Sequence, residues 1–316
     1  MTLTIPAAPS SSTPSYSTIS VPLYNPADFT GAVASVDSTT SLTLSGAAWT
    51  AGQFADAANP RLVRVKTSAT ASHVGKYFVV TANTANQLTV RNAHSGTTDI
   101  TGSVSAGDTC EVLPANTLAK LFGPNDAGAT GVFATGTFFG TGASASASTA
   151  DNLLVWTGST WATYYNNNTN WKTSPGNANK NDDILYPGEG IFVVRRATTA
   201  LTLTLQGKVP TTAEQTTLAG NGSTFIPNRF PTDTTLVATG IQSTPGWITA
   251  SSASSADKVF IWEGGTWATY YHNGTNWKKS PGNANLDTKL IPAGTALFIS
   301  KTSGDASLTQ NLPYTP

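Results

Sequence analysis

A chain of 316 residues is long enough for two or three domains with separate cores. Only 11% of its residues are charged, and 17 basic side chains balance 17 acidic ones. That composition excludes an electrostatic basis for binding nucleic acid or an anionic membrane, and it leaves solubility to hydroxyls and amides.

Met1 is the only methionine, and neither a basic nor an apolar leader segment follows it. A mature exported chain whose signal has been removed is therefore expected, located outside the cell or on its surface. Residues 1–15 read as an extended Pro/Ser/Thr arm, because Pro6, Pro9 and Pro14 forbid a helix. Leu3 and Ile5, at period two, are candidates for a strand added to a neighbouring subunit; the plain alternative is a loose terminus.

Residues 16–28 contain a short strand phrase (STISVPL, 17–23) that is echoed by STFIP at 223–227. Residues 29–115 have no later counterpart. They hold six short apolar runs: AVASV (32–36), SLTL (41–44), RLVRV (61–65), YFVV (77–80), QLTV (87–90) and CEVL (110–113). Their spacing predicts a small β-barrel. Leu62 and Arg64 alternate with Val63 and Val65, which predicts one wet face and one core face. Cys110 stands alone in a strand, where a buried thiol is expected.

The barrel is expected to interrupt a first repeat module made of residues 16–28 and 116–210, with a second module over 211–316. A separate N-terminal domain followed by two modules is the other arrangement. Residues 116–121 (NTLAKL) allow one helical turn. A Gly/Ala/Ser/Thr-rich stretch over 123–150 carries Phe133, Phe138 and Phe139, and reads as a functional loop or one packed down by its rings.

The modules are defined by a duplication. WTGSTWATYYNNNTNWKTSPGNAN (156–179) and WEGGTWATYYHNGTNWKKSPGNAN (262–285) are identical at 19 of 24 positions, at an offset of 106. Each copy reads as an antiparallel meander, and Asn273-Gly274 is a strong hairpin signal. Helical periodicity is absent, so the expected class is all-β: two tandem Trp-rich meander modules plus a barrel-like domain.

Several phrases look familiar together: ISVPL (19–23), the run from FTGAVASV (29–36) to LTLSGAAWT (42–50), GKYFVV (75–80), the Ala106-Gly107-Asp108 turn and the doubled aromatic-Trp-Lys hairpin. In these the chain resembles an uncharacterised family of exported Thr/Ser-rich proteins that occur as paralogues in verrucomicrobial genomes. The resemblance implies export and transfers no activity.

Within the repeat, Trp161, Tyr164, Tyr165, Trp171 and their counterparts Trp267, Tyr270, Tyr271, Trp277 are glycan-stacking candidates, since such rings pair an apolar body with a polar tip. Asn167, Asn170, Asn273 and Asn276 are candidate polar rims for sugar hydroxyls. The competing reading is that these rings build small cores. Asn177, Asn179 and Asp183, with Asn283, Asn285 and Asp287, set oxygens at calcium-loop intervals. They have few carboxylates, and Asx turns account for the same pattern, so no cofactor is expected, with calcium as the one alternative.

The duplication preserves rings, amides and turns, whereas none of the four glutamates recurs between the copies. A non-enzymatic reading follows. The leading expectation is a self-assembling surface or extracellular subunit (layer, fibre or adhesin) joined through β-edges. The alternative is a carbohydrate-binding protein. The expected partners are further copies of the chain, and surface polysaccharide under the alternative.

Overall fold

The chain begins with two strands whose partners come much later in the sequence. A computed structural model describes residues 1–10, 12–93, 99–123, 133–135 and 146–315, with 133–135 described by backbone alone. Phe138, Phe139 and most of the 123–150 loop, the Phe133 side chain and His94 lie outside the described residues.

Strand β1 (Thr2–Ile5) pairs antiparallel with residues 201–205, and β2 (Ser15–Ile19) with residues 191–195. Six strands follow β2: β3 (Phe29–Ser38), β4 (Ser41–Leu44), β5 (Arg61–Thr67), β6 (Tyr77–Asn83), β7 (Gln87–Asn92) and β8 (Thr109–Pro114). They close an antiparallel barrel in the order β3-β4-β7-β6-β5-β8. Its interior is filled by Val33, Leu42, Leu44, Val63, Val65, Phe78, Val80, Leu88, Val90, Cys110 and Val112. Burial there pushes the Cys110 thiol up to about 12, which keeps it protonated.

After the barrel come β9 (Asn116–Thr117), α1 (Leu118–Phe122), β10 (Phe133–Thr135), β11 (Asn152–Trp156), β12 (Trp161–Asn166), β13 (Trp171–Ser174), β14 (Ile184–Leu185), β15 (Ile191–Arg195) and β16 (Leu201–Leu205). Thr117 caps α1 by accepting a hydrogen bond from the Lys120 amide. The first module's main sheet runs β13-β12-β11-β15-β2, beside β1-β16-β10 and β14-β9. The second module repeats the plan with β17 (Glu214–Leu218), β18 (Ser223–Pro227), β19 (Thr234–Thr235), β20 (Lys258–Glu263), β21 (Thr266–His272), β22 (Trp277–Ser280), β23 (Leu290–Ile291), β24 (Ala296–Ser300) and β25 (Ala306–Gln310). Its sheet is β18-β24-β20-β21-β22, beside β17-β25 and β19-β23. The architecture is all-β.

The structure corrects two expectations. Residues 1–15 are not an arm reaching for a neighbour. Leu3 sits opposite Leu203 and Ile5 opposite Leu201, and both bury in the first module's own core. The alternating Leu201, Leu203 and Leu205 of β16 need a partner strand, and the chain's own start reaches it intramolecularly at high effective concentration. The β5 strand also has no wet face: Leu62 and Arg64 are as buried as Val63 and Val65. Leu62 packs with Tyr24, Tyr77, Val79 and Leu113 of the barrel side against Ile184 and Tyr186 of the first module.

Arg64 points instead toward the second module. Its guanidinium pairs with the Glu214 carboxylate, which also takes Arg229 at 3.0 Å, while Glu111 accepts from Arg64 at 3.1 Å. Arg64 lies over the Tyr24 ring at 4.7 Å, and the Tyr77 hydroxyl donates to Tyr24. Burial pushes the Tyr24 hydroxyl up to about 12, so the ring stays neutral beneath the cation. Glu214 thus ties the barrel to the second module.

Two outcomes are expected in urea unfolding. Ile5→Ala should cost about 2–5 kcal/mol by opening a core cavity, and should leave the association state unchanged. Glu214→Gln should cost about 3–5 kcal/mol, because two buried guanidinium groups lose their shared counter-charge. Glu111→Gln, at the wetter end of the network, should cost less.

Candidate functional site

The duplicated hairpins place tryptophans directly opposite one another: Trp156 with Trp161, and Trp262 with Trp267. Alternation then divides each hairpin between a buried face and a half-buried one. One face enters the module's own core. Trp171 and Trp277 are fully buried there, and Tyr164 and Tyr270 join them. The other face meets the second copy.

That meeting is reciprocal. The Trp156 ring lies 5.1 Å from Phe298, and Trp262 lies 4.9 Å from Phe192. Trp161 lies 5.5 Å from Phe298, and Trp267 lies 5.6 Å from Phe192. Trp156 Nε1 donates to the Ser223 carbonyl at 2.9 Å, and Trp262 Nε1 to the Tyr16 carbonyl at 3.1 Å. Gly190 permits the approach, because a Cβ there would stand 2.5 Å from the Ala296 Cβ.

The glycan-stacking candidates pack against other rings, Trp161, Tyr164 and Trp267 half-buried and Tyr165, Trp171, Tyr270, Tyr271 and Trp277 buried. Trp161 is ringed by Trp156, Phe192, Phe225 and Phe298, and Trp267 by Trp262, Phe192, Phe225 and Phe298. Tyr165 and Tyr271 are buried. The Tyr164 hydroxyl donates to Asp183, and Tyr270 to Glu263. A strand covered on both sides can bury rings on both faces, which a single core cannot explain.

The polar candidates build turns. Asn167 Oδ1 accepts from the amides of Thr169 and Asn170, and Asn273 Oδ1 from those of Thr275 and Asn276. The cation candidates cap the outer sheet edges. Asn179 Oδ1 accepts from the Asn181 amide and Asn285 Oδ1 from the Asp287 amide. Asn181 and Asp287 then accept from the amides of Trp171 (2.9 Å) and Trp277 (2.8 Å). The carbonyls of Asn177 and Asn283 accept from Lys172 and Lys278, and Asp183 pairs with Lys180. Among the described residues no group of three or more His, Cys, Asp or Glu side chains could hold a metal ion.

The recurring acids also have structural partners. Asp151 pairs with Arg195 at 2.5 Å and Asp257 with Lys301 at 2.8 Å, all four buried. Each pair locks the start of a central strand to the end of its neighbour. Arg195 and Lys301 stand at the repeat's own offset, a signal the sequence carried outside the matched segment.

One open feature was not legible in the sequence. A cavity of about 490 Å³ lies where the three bodies meet. The barrel contributes Gly75 and Lys76, the first module Trp156 and Glu189, and the second module Gln215, Ser223, Arg229 and Asp305. Burial pushes the Glu189 carboxyl up to about 7, while its Oε2 accepts from the Tyr186 amide at 3.1 Å. Burial also lowers the Lys76 ammonium, whose Nζ donates to Thr217 at 3.1 Å. Asp305 accepts from the Gly220 amide, and Arg229 is engaged by Glu214 and the Pro187 carbonyl. These residues come from distant parts of the chain, so no spacing announced them.

No family model, curated protein or solved structure matches this chain. No helix among the described residues is long and apolar enough to cross a membrane.

The Glu189 carboxyl makes a pH prediction. Its folded value of about 7 stands above the ordinary 4.5, so the folded state holds a proton that the unfolded state has released. This contribution to stability is present below pH 4.5 and is lost as pH rises to about 7. Glu189→Gln should remove that part of the slope in urea midpoints, and should raise the midpoint at pH 8.

Proposed function

We propose that the protein is a non-enzymatic structural subunit that self-associates at the cell surface or outside the cell. One asymmetry between the modules carries this reading. In the first module the β9–β14 strand pair is covered: Ile184 and Tyr186 pack with Leu62, Tyr77, Val79 and Leu113. In the second module Leu290 occupies the place of Ile184, pairing with Thr235 as Ile184 pairs with Thr117. There Leu290 is 48% exposed and Val237 40%. The apolar spot that the barrel covers once is bare the second time.

A second copy of the chain is the occupant that fits. The barrel surface on Ile184 is already engaged within its own chain, so a neighbour must present a different surface. A heterologous contact propagates into an open array where its rotation does not close a ring. With only 11% charged residues, little repulsion opposes it. The proposed contact is on the β19–β23 face, away from the outer β-edges. Those edges carry Lys172, Lys278 and Lys279 and are capped by the Asn-rich loops, devices that discourage edge pairing. The carbohydrate-binding reading keeps one foothold, the cavity beside Trp156.

Light scattering across a concentration series, with and without calcium, should show the full-length chain assembling as concentration rises. Leu290→Lys combined with Val237→Lys should shift the onset at least tenfold higher. A chain that stays monomeric throughout, or assembly indifferent to both substitutions, would overturn the proposal.

A further inference from the structure

The two flanks of the aromatic joint are built alike but filled differently. Tyr16 and Ser223 are counterparts by register: Tyr16 lies opposite Val194, and Ser223 opposite Ser300, the residue that takes the place of Val194 in the second module. Each offers its carbonyl to the tryptophan of the other module.

On one flank Trp262 is edged by three rings: Trp267 at 5.1 Å, Phe192 at 4.9 Å and Tyr16 at 5.9 Å. On the other, Trp156 meets Trp161 at 5.3 Å and Phe298 at 5.1 Å. Where the third ring would stand there is Ser223, and Ser223 and Trp156 both line the junction cavity. The cavity therefore contains the place of a missing ring, and Gly75 and Lys76 of the barrel also line it. Gly75 brings that wall close, since a Cβ there would stand 2.9 Å from the Gln215 amide nitrogen.

We infer that this cavity is a binding site for one ring of a neutral, polyhydroxylated ligand, namely a sugar unit standing beside Trp156 as Tyr16 stands beside Trp262. The volume of about 490 Å³ falls within the roughly 300–1,000 Å³ of small-molecule sites, which favour domain junctions. The indole supplies an apolar wall with a polar tip, the arrangement that suits a pyranose ring. Thr216, Thr217, Ser223 and Thr224 line it as well, with the Thr217 hydroxyl accepting from Lys76 and the Thr224 hydroxyl from the Ala219 amide.

Charge selects against an anion. Arg229 is already held by Glu214, and Asp305 opposes Lys76 among the charged lining residues. The Glu189 carboxyl, raised to about 7 by burial, both donates and accepts toward hydroxyls when protonated. The site rests on the carbohydrate reading and is independent of self-association, which involves the β19–β23 strand pair of the second module.

The test uses the full chain with a panel of methyl glycosides of glucose, galactose, mannose and N-acetylglucosamine, followed by saturation-transfer NMR. At least one should bind, and Ser223→Tyr, which supplies the missing ring from the protein itself, should weaken binding at least tenfold without lowering Tm. Thr217→Tyr, at the exposed rim, should give the same loss and serves if Ser223→Tyr folds poorly. No binding by the unaltered chain at millimolar sugar, or equal binding by a folded variant, would overturn the inference. Light scattering of the same samples separates this outcome from failure of the assembly proposal, because neither substitution touches Leu290 or Val237.

Discussion

Everything else in this molecule depends on a reciprocal aromatic joint. Trp156, Trp161 and Phe192 from one copy interlock with Trp262, Trp267, Phe298 and Phe225 from the other. The contacts are mostly edge-to-face at about 5 Å, the geometry in which the positive edge of one ring meets the negative face of another. Each such pair contributes about 0.5–1.5 kcal/mol beyond burial. The Trp156 and Trp262 N–H groups do not interrupt the apolar contact, because each donates to a backbone carbonyl on the opposing module. A duplicated unit that exposes an apolar sheet face is its own best partner, and the joint is the intramolecular form of an isologous interface.

The few charges are placed with the same economy. Asp151–Arg195 and Asp257–Lys301 fasten strands inside the modules, and Glu214 with Arg64 and Arg229 fastens the barrel to the second module. Buried pairs of this kind add little net stability over apolar packing, yet removing one partner is costly. They act as register pins. The barrel, fixed to the first module by apolar contact and to the second by Glu214, breaks the near-twofold relation. It covers the β9–β14 strand pair and leaves β19–β23 bare, and it lines the cavity beside one tryptophan while a tyrosine stands beside the other.

Much of the fold was legible because strands alternate and turns have their own chemistry. The six barrel runs, the NTLAKL turn and the all-β class follow from local pattern. The arm was misread because an extended Pro-rich start looks the same whether its edge partner lies in the same chain or another; only the leucines of β16, some 200 residues on, decide it. The Asn-rich loops were ambiguous for a related reason. An amide that caps a sheet edge and one that ligates a cation obey the same spacing, and only the position of the Trp171 and Trp277 amides separates them.

By itself the sequence determined the elements: strands, turns, a duplication, and a set of rings and amides held constant between its copies. Those properties depend on neighbours along the chain, so they can be read along it. Tertiary structure alone decided what the rings pack against. Whether an indole faces a sugar or another indole depends on which surface lies opposite, and that surface comes from the other copy. The cavity was settled in the same way: Tyr16 and Ser223 share a role that only strand register discloses, and the difference between a ring and a hydroxyl there leaves the space beside Trp156.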